Sequence, residues 1–173
     1  MPTRPTADES ISYYQRYIAL VPDGDLLAIL ARQAREVAAL LADCSPAQAQ
    51  RRPAPGEWNA IEIVGHLADT ERVLAYRALR IARRDPTPLE GVGDFAAYVT
   101  SARFAGRSLA DVVAEYAAVR GASLALFRSL DAADWAQIGV ADGDRISVRA
   151  LAYIIAGHDL HHLPDLRTEA GSR

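Results

Sequence analysis

Asn59-Ala60-Ile61-Glu62-Ile63-Val64-Gly65-His66-Leu67-Ala68 reads as the opening of a long helix. Asn59 can accept a hydrogen bond from one of the unpaired N–H groups of a first turn. Behind it Ile61, Val64, Leu67, Leu74, Ala78 and Ile81 recur at helical spacing along one face. The run stops before Asp85-Pro86-Thr87-Pro88, where proline withholds N–H groups. Three other stretches carry the same signature. Leu26, Leu27, Leu30, Ala34, Val37, Leu40 and Leu41 follow the turn Pro22-Asp23-Gly24-Asp25 and predict a helix ending near Asp43. Leu109, Val112, Val113, Tyr116, Val119, Leu124 and Phe127 follow Ser108, with Asp111 placed as in a capping box. Val148, Leu151, Ile154 and Ile155 follow Ser147. Four long amphipathic segments and no alternating, β-branched strand run predict an all-α four-helix bundle.

The remaining stretches are shorter. Residues 1–10 are polar and proline-bearing and predict a loose arm; residues 11–21, with Tyr13, Tyr14 and Tyr17, predict a short segment packed on the domain. The expected division is therefore residues 1–22 as the arm and its packed segment, and residues 23–170 as the bundle. Residues 51–56 form a loop of prolines and a glycine, and residues 89–106 a long connection with room for one short helix from Phe95. Residues 140–144 read as a turn around Gly143. Pro164 predicts a kink or an early stop in the last helix, and residues 168–173 a frayed tail.

Composition excludes several classes. The 173 residues suit one domain; half are apolar and 24% charged. A net charge of -3 gives no nucleic-acid signal, and no window reaches the roughly 18 apolar residues of a membrane span. Cys44 stands alone, so no internal disulfide forms and a reduced compartment is expected. Residues 1–10 have no apolar signal-peptide core. The expectation is a cytoplasmic protein with a small-molecule partner.

The chemistry concentrates in histidine. The chain has four, and three lie in Gly157-His158-Asp159-Leu160-His161-His162. His158 and His162 are one turn apart on one helical face. His66 lies about two turns into the helix that opens at Asn59. If the two helices are neighbours, His66, His158 and His162 make a three-nitrogen metal site with a position left for water or substrate. His161 is rotated about 100° from His162 and points elsewhere, toward the rim of such a site. Ligating imidazoles donate their second N–H to a carboxylate or carbonyl. Glu62, Asp69, Asp159 and Asp165 stand near enough in sequence to serve. The alternative makes His66 and His158 hydrogen-bonded core residues and leaves His162 solvated. Trp58 and Trp135 read as helix-end or core packing, and Arg51-Arg52 as solvated. Val64-Gly65-His66 and Ala156-Gly157-His158 echo one another, and a glycine before each histidine predicts close approach of backbone at that level.

Trp58, Glu62, the Val64–Asp69 stretch and the final histidine cluster together resemble the DinB/YfiT-like superfamily of metalloenzymes. The resemblance spans about Leu26 to Leu166. It implies an up-down-down-up four-helix bundle with a divalent metal, commonly zinc or nickel, on His66, His158 and His162. It also implies a homodimer. Many relatives carry glutamine where Asp165 stands, and Pro164 is unusual in that segment. Characterised relatives include transferases and isomerases that use a low-molecular-weight thiol. The expected function is thus a metal-dependent thiol S-transferase or thiol-dependent isomerase, with no general base identifiable. The alternatives are a non-catalytic metal- or ligand-binding module, as in a stress response, and a plain helical bundle without metal.

Overall fold

The computed structural model describes residues 2–171. Its helices are α1 (Ser12–Leu20), α2 (Leu26–Leu41), α3 (Pro46–Gln50), α4 (Ala60–Ala82), α5 (Phe95–Ala102), α6 (Leu109–Arg128), α7 (Ala132–Trp135) and α8 (Val148–Gly171). Two 3-10 turns, Ala7–Glu9 and Phe104–Gly106, and a hairpin of β1 (Ile138–Ala141) and β2 (Asp144–Ser147) complete the description. The four long helices α2, α4, α6 and α8 are the expected ones. Their starts are fixed by side chains that accept the first free N–H groups. Asp25 accepts from Leu27, and Ser108 accepts from Asp111. Asn59 accepts from the Glu62 N–H at 2.9 Å while the Glu62 carboxylate accepts from the Asn59 N–H at 3.0 Å.

α4 packs against both α8 and α6, and α2 closes the ring by packing on α6 and α8. Helices α2 and α4 are thus diagonal across the bundle, as are α6 and α8. Two apolar clusters fill the interior. One gathers Leu26–Leu30 of α2, Leu74–Ala82 of α4, Leu124 and Phe127 of α6, and Val148–Ala156 of α8. The other gathers Val37 and Leu41, Ala60–Ala68, Val112 and Tyr116, and Leu166. The early half of α2 and of α8 meets the late half of α4 and of α6. Helices α2 and α8 therefore run one way, and α4 and α6 the other. Between the clusters lies a buried polar layer drawn from all four helices: Gln33, Glu71, Arg120 and Asp159. No helix among the described residues is long and apolar enough to cross a membrane.

Five expectations need correction. Residues 138–147 are an antiparallel hairpin and not a bare turn. Its strands are four residues each, too short to show alternation. Asp142 and Gly143 both adopt positive φ, 57° and 78°, as a tight hairpin turn requires. Pro164 does not end the last helix, which continues to Gly171. One lost hydrogen bond is outweighed because Leu166 beyond it is fully buried and Glu169 is 1% exposed and pairs with Arg51 at 3.2 Å. Residues 168–171 are therefore helix and not frayed, and Arg51 is paired; residues 172 and 173 lie outside the described residues. Arg52 is paired too, with Glu62.

The N-terminal arm is also tied down. Arg4 donates to the carbonyls of Ile18 and Val21 at 2.7 and 2.6 Å, and Glu9 is buried against Arg149 of α8. Met1 lies outside the described residues. Burial alone would raise the Glu9 carboxyl, but hydrogen bonds from Arg149 and the Thr6 N–H outweigh it and lower it from 4.5 to about 2. The folded value lies below the unfolded one, so the stabilisation is present above pH 4.5 and fades as pH falls toward 2. Glu9→Gln should cost about 1–2 kcal/mol at pH 7 and almost nothing near pH 2. Urea midpoints at both pH values measure this; an equal loss at each would show that the ion pair contributes no pH dependence.

Candidate metal centre

α4 and α8 lie side by side with their histidines at one level. His66 and His158 are buried, 7% and 8% exposed, and their Nε2 atoms are 3.2 Å apart. His162 is half-buried, and its ring centroid is 5.3 Å from that of His66 and 4.8 Å from that of His158. One nitrogen from each of the three lies within 4.8 Å of the others. An ion bonded to imidazole at about 2.0–2.1 Å spaces tetrahedral ligand nitrogens by about 3.3 Å. The His66–His158 pair already has that spacing, and a small ring rotation brings in His162. The residues fit a divalent ion.

The electrostatics agree. Burial first, and His162 second, push the His66 imidazole down to about 4. Burial pushes His158 well down, helped by His162 and His66, and lowers His162, helped by His161. All three rings are neutral at pH 7 and offer lone pairs, the form a metal takes. Two have outer partners. Thr70 Oγ1 is 3.4 Å from His66 Nδ1, and Asp165 Oδ2 is 3.5 Å from His162 Nδ1. These contacts leave Nε2 of each ring for the ion.

The other candidates lie elsewhere. Asp69 pairs with Arg72 at 2.9 Å, and Glu62 caps Asn59 and pairs with Arg52. Asp159 accepts from the Tyr116 hydroxyl at 2.6 Å and from Arg120 at 2.7 Å, inside the polar layer. His161 is exposed, its ring 5.0 Å from His162 and 5.4 Å from Tyr17. Sequence reading missed an aromatic surround. Trp58 is not mere helix-end packing: its ring centroid is 4.7 Å from that of His66 and 6.5 Å from that of His162. Phe95 stands edge-on to His66 at 5.6 Å, and Tyr17 edge-on to His158 at 5.4 Å. Trp135, by contrast, packs in the core on Phe127.

The two glycines hold this geometry by different means. A Cβ on Gly157 would lie 2.0 Å from the Tyr17 carbonyl oxygen, so α1 sits directly on the α8 backbone. A Cβ on Gly65 would lie 2.5 Å from the Phe104 ring. Close approach occurs at both, though not between α4 and α8. Beside the histidines opens a cleft of about 390 Å³ lined by Pro53, Trp58, Ile63, His162 and Asp165 among others. That volume suits a small molecule.

Fold and site together define a helical bundle with a three-histidine cluster at the edge of a small-molecule cleft. Residues 29–165 match the family model of the DinB superfamily, and the chain belongs to that superfamily. Among solved structures it is similar to YfiT from Bacillus subtilis, described as "a probable metal-dependent hydrolase with an unusual four-helix bundle topology". The TM-score is 0.75 at 16% identity, over 99% of this chain and 95% of that one. At such identity the likeness shows the fold. No curated protein matches the sequence.

Proposed function

We propose that His66, His158 and His162 hold a divalent metal ion, zinc or nickel, and that the protein is a metal-dependent enzyme acting on a small molecule in the adjoining cleft. The observation that carries this reading is the convergence of three neutral imidazoles from two helices. With three protein ligands the ion keeps an open position, the arrangement of catalytic rather than structural sites. Such an ion supplies Lewis acidity, lowering the pKa of a water or thiol that reaches it. The chain supplies the rest. Thr70 and Asp165 orient two of the rings, Trp58 and Phe95 shield His66 from solvent, and the cleft beside His162 admits substrate. The finer reading is transfer or isomerisation with a low-molecular-weight thiol, which the sequence resemblance favours. Hydrolysis is the competing chemistry, as described for the YfiT structure. A homodimer in the cytoplasm belongs to the same proposal.

Metal-free protein titrated with zinc or nickel should take up one ion per chain. His66→Ala, His158→Ala and His162→Ala should each weaken binding more than tenfold. Full metal content in all three variants would sink the site. The loaded protein is then offered an electrophile with and without a thiol. Turnover that requires thiol supports the transferase reading, and turnover in water alone supports hydrolysis. No turnover under either condition leaves a metal-binding module and removes the enzymatic claim.

A further inference from the structure

We infer that Arg120 is a positioning residue for the histidine cluster: its guanidinium, held between carboxylates of α4 and α8, sets the separation of the two helices that carry the imidazoles. The inference rests on the metal-centre reading above. Arg120 is 1% exposed and lies on α6, which packs beside α4 and stands diagonally across the bundle from α8. Its Nε donates to Glu71 Oε1 at 2.9 Å and its Nη2 to Glu71 Oε2 at 2.9 Å, a two-pronged grip on α4. The same Nη2 donates to Asp159 Oδ2 of α8 at 2.7 Å. Nη1 donates to the Leu30 carbonyl of α2 at 2.8 Å. Tyr116, one turn earlier on α6, donates its hydroxyl to the same Asp159 oxygen at 2.6 Å.

The placement of the two carboxylates gives this network its consequence. Asp159 follows His158 directly, and Glu71 lies five residues beyond His66, about 7.5 Å along α4. A guanidinium is planar and its donors are fixed relative to one another. Gripping both carboxylates therefore fixes the gap between α4 and α8 within about two turns of the histidines. A metal site tolerates displacements of only about 0.5 Å in its ligands. Apolar packing at the same place would fill the volume without dictating the gap to that tolerance. The network thus spends burial of three charges on geometry, at the level where geometry matters to a metal.

Two variants separate positioning from plain structural support. The first replaces the three charges of the layer and the tyrosine bonded to them by apolar groups, leaving Gln33 in place: Arg120→Met, Glu71→Met, Asp159→Leu and Tyr116→Phe together. Exchanging a complete buried ion cluster for packed apolar side chains is often neutral or stabilising. The second, Tyr116→Phe, removes one hydroxyl. Cobalt(II) is the probe, read by its visible absorption spectrum and by its affinity. The parent should bind one ion per chain with visible bands set by its histidine ligands. The apolar-layer variant should melt at or above the parent's temperature yet bind cobalt at least tenfold more weakly, with shifted bands. Tyr116→Phe should shift both in the same sense by less. Folded variants that keep the parent's spectrum and affinity overturn the inference. If the apolar-layer variant does not fold, Tyr116→Phe decides alone, an unchanged spectrum and affinity being the overturning result. A parent that binds no cobalt overturns the metal centre itself, and this inference with it.

Discussion

Arg120→Met alone is expected to lose about 3–5 kcal/mol of stability at pH 7, the cost of removing one partner from a buried ion cluster. Methionine fills similar volume, so the loss is electrostatic rather than a cavity. Glu71 is 2% exposed and Asp159 5%, and without the guanidinium two carboxylates face each other with no cation between them. Burial already raises Glu71 above 4.5, with Arg120 holding it back. Removing Arg120 raises it further. A group whose folded pKa lies above its unfolded one contributes stability below the unfolded value and loses it as pH rises through the folded value. The variant should therefore be least stable near pH 7 and recover toward pH 4.5, as a proton takes the place of the arginine. Urea unfolding at the two pH values measures both parts. A loss under about 1 kcal/mol at pH 7, without recovery in acid, would show that the layer tolerates unpaired charge.

The same arginine shows where the sequence is legible and where it is not. Helical period and caps gave the starts of the four long helices to within a residue or two, because Asn59, Asp25, Ser108 and Ser147 leave a chemical mark at each. The period also places Tyr116, Arg120, Ser123 and Phe127 on the inner face of α6. An arginine there reads as solvated until a partner is known, and Glu71 is 49 residues away along the chain. The histidine cluster was legible because imidazoles are few and two of them share a face at four-residue spacing. Of their outer partners Asp165, three residues past His162, was among the candidates, whereas Thr70, four past His66, was missed although the same spacing reaches it. Nearness in sequence did not suffice elsewhere. Asp69 is three residues from His66 yet turns to Arg72, and Asp159 adjoins His158 yet turns into the bundle. Trp58, Phe95 and Tyr17 reach the site from loop or neighbouring helix, and no local period announces them. The hairpin was missed for a related reason, since four-residue strands carry too few positions to alternate.

Gly157→Ala should be the most damaging of the small substitutions, at about 2–3 kcal/mol. Alanine is the better helix former by about 1 kcal/mol, so propensity alone predicts the opposite sign. Gly121 in α6 supplies the control. It is exposed and a Cβ there meets nothing within 4 Å, so Gly121→Ala should gain about 0.5–1 kcal/mol. At Gly157 the added carbon would lie 2.0 Å from the Tyr17 oxygen and 2.4 Å from its carbonyl carbon. Those atoms are backbone, so no rotamer change relieves the contact, and α1 has to move off α8. Two consequences separate this from a general loss of packing. Amide exchange should accelerate first in Ser12–Leu20, while the buried halves of α4 and α6 stay protected. The Tyr17 ring, which stands edge-on to His158 and His161, should withdraw and open the histidine cluster to water on that side. Urea midpoints for both glycine variants, with residue-resolved exchange on Gly157→Ala, test the account. A Gly157→Ala protein as stable as Gly121→Ala would mean that α1 is seated with more slack than a direct backbone contact allows.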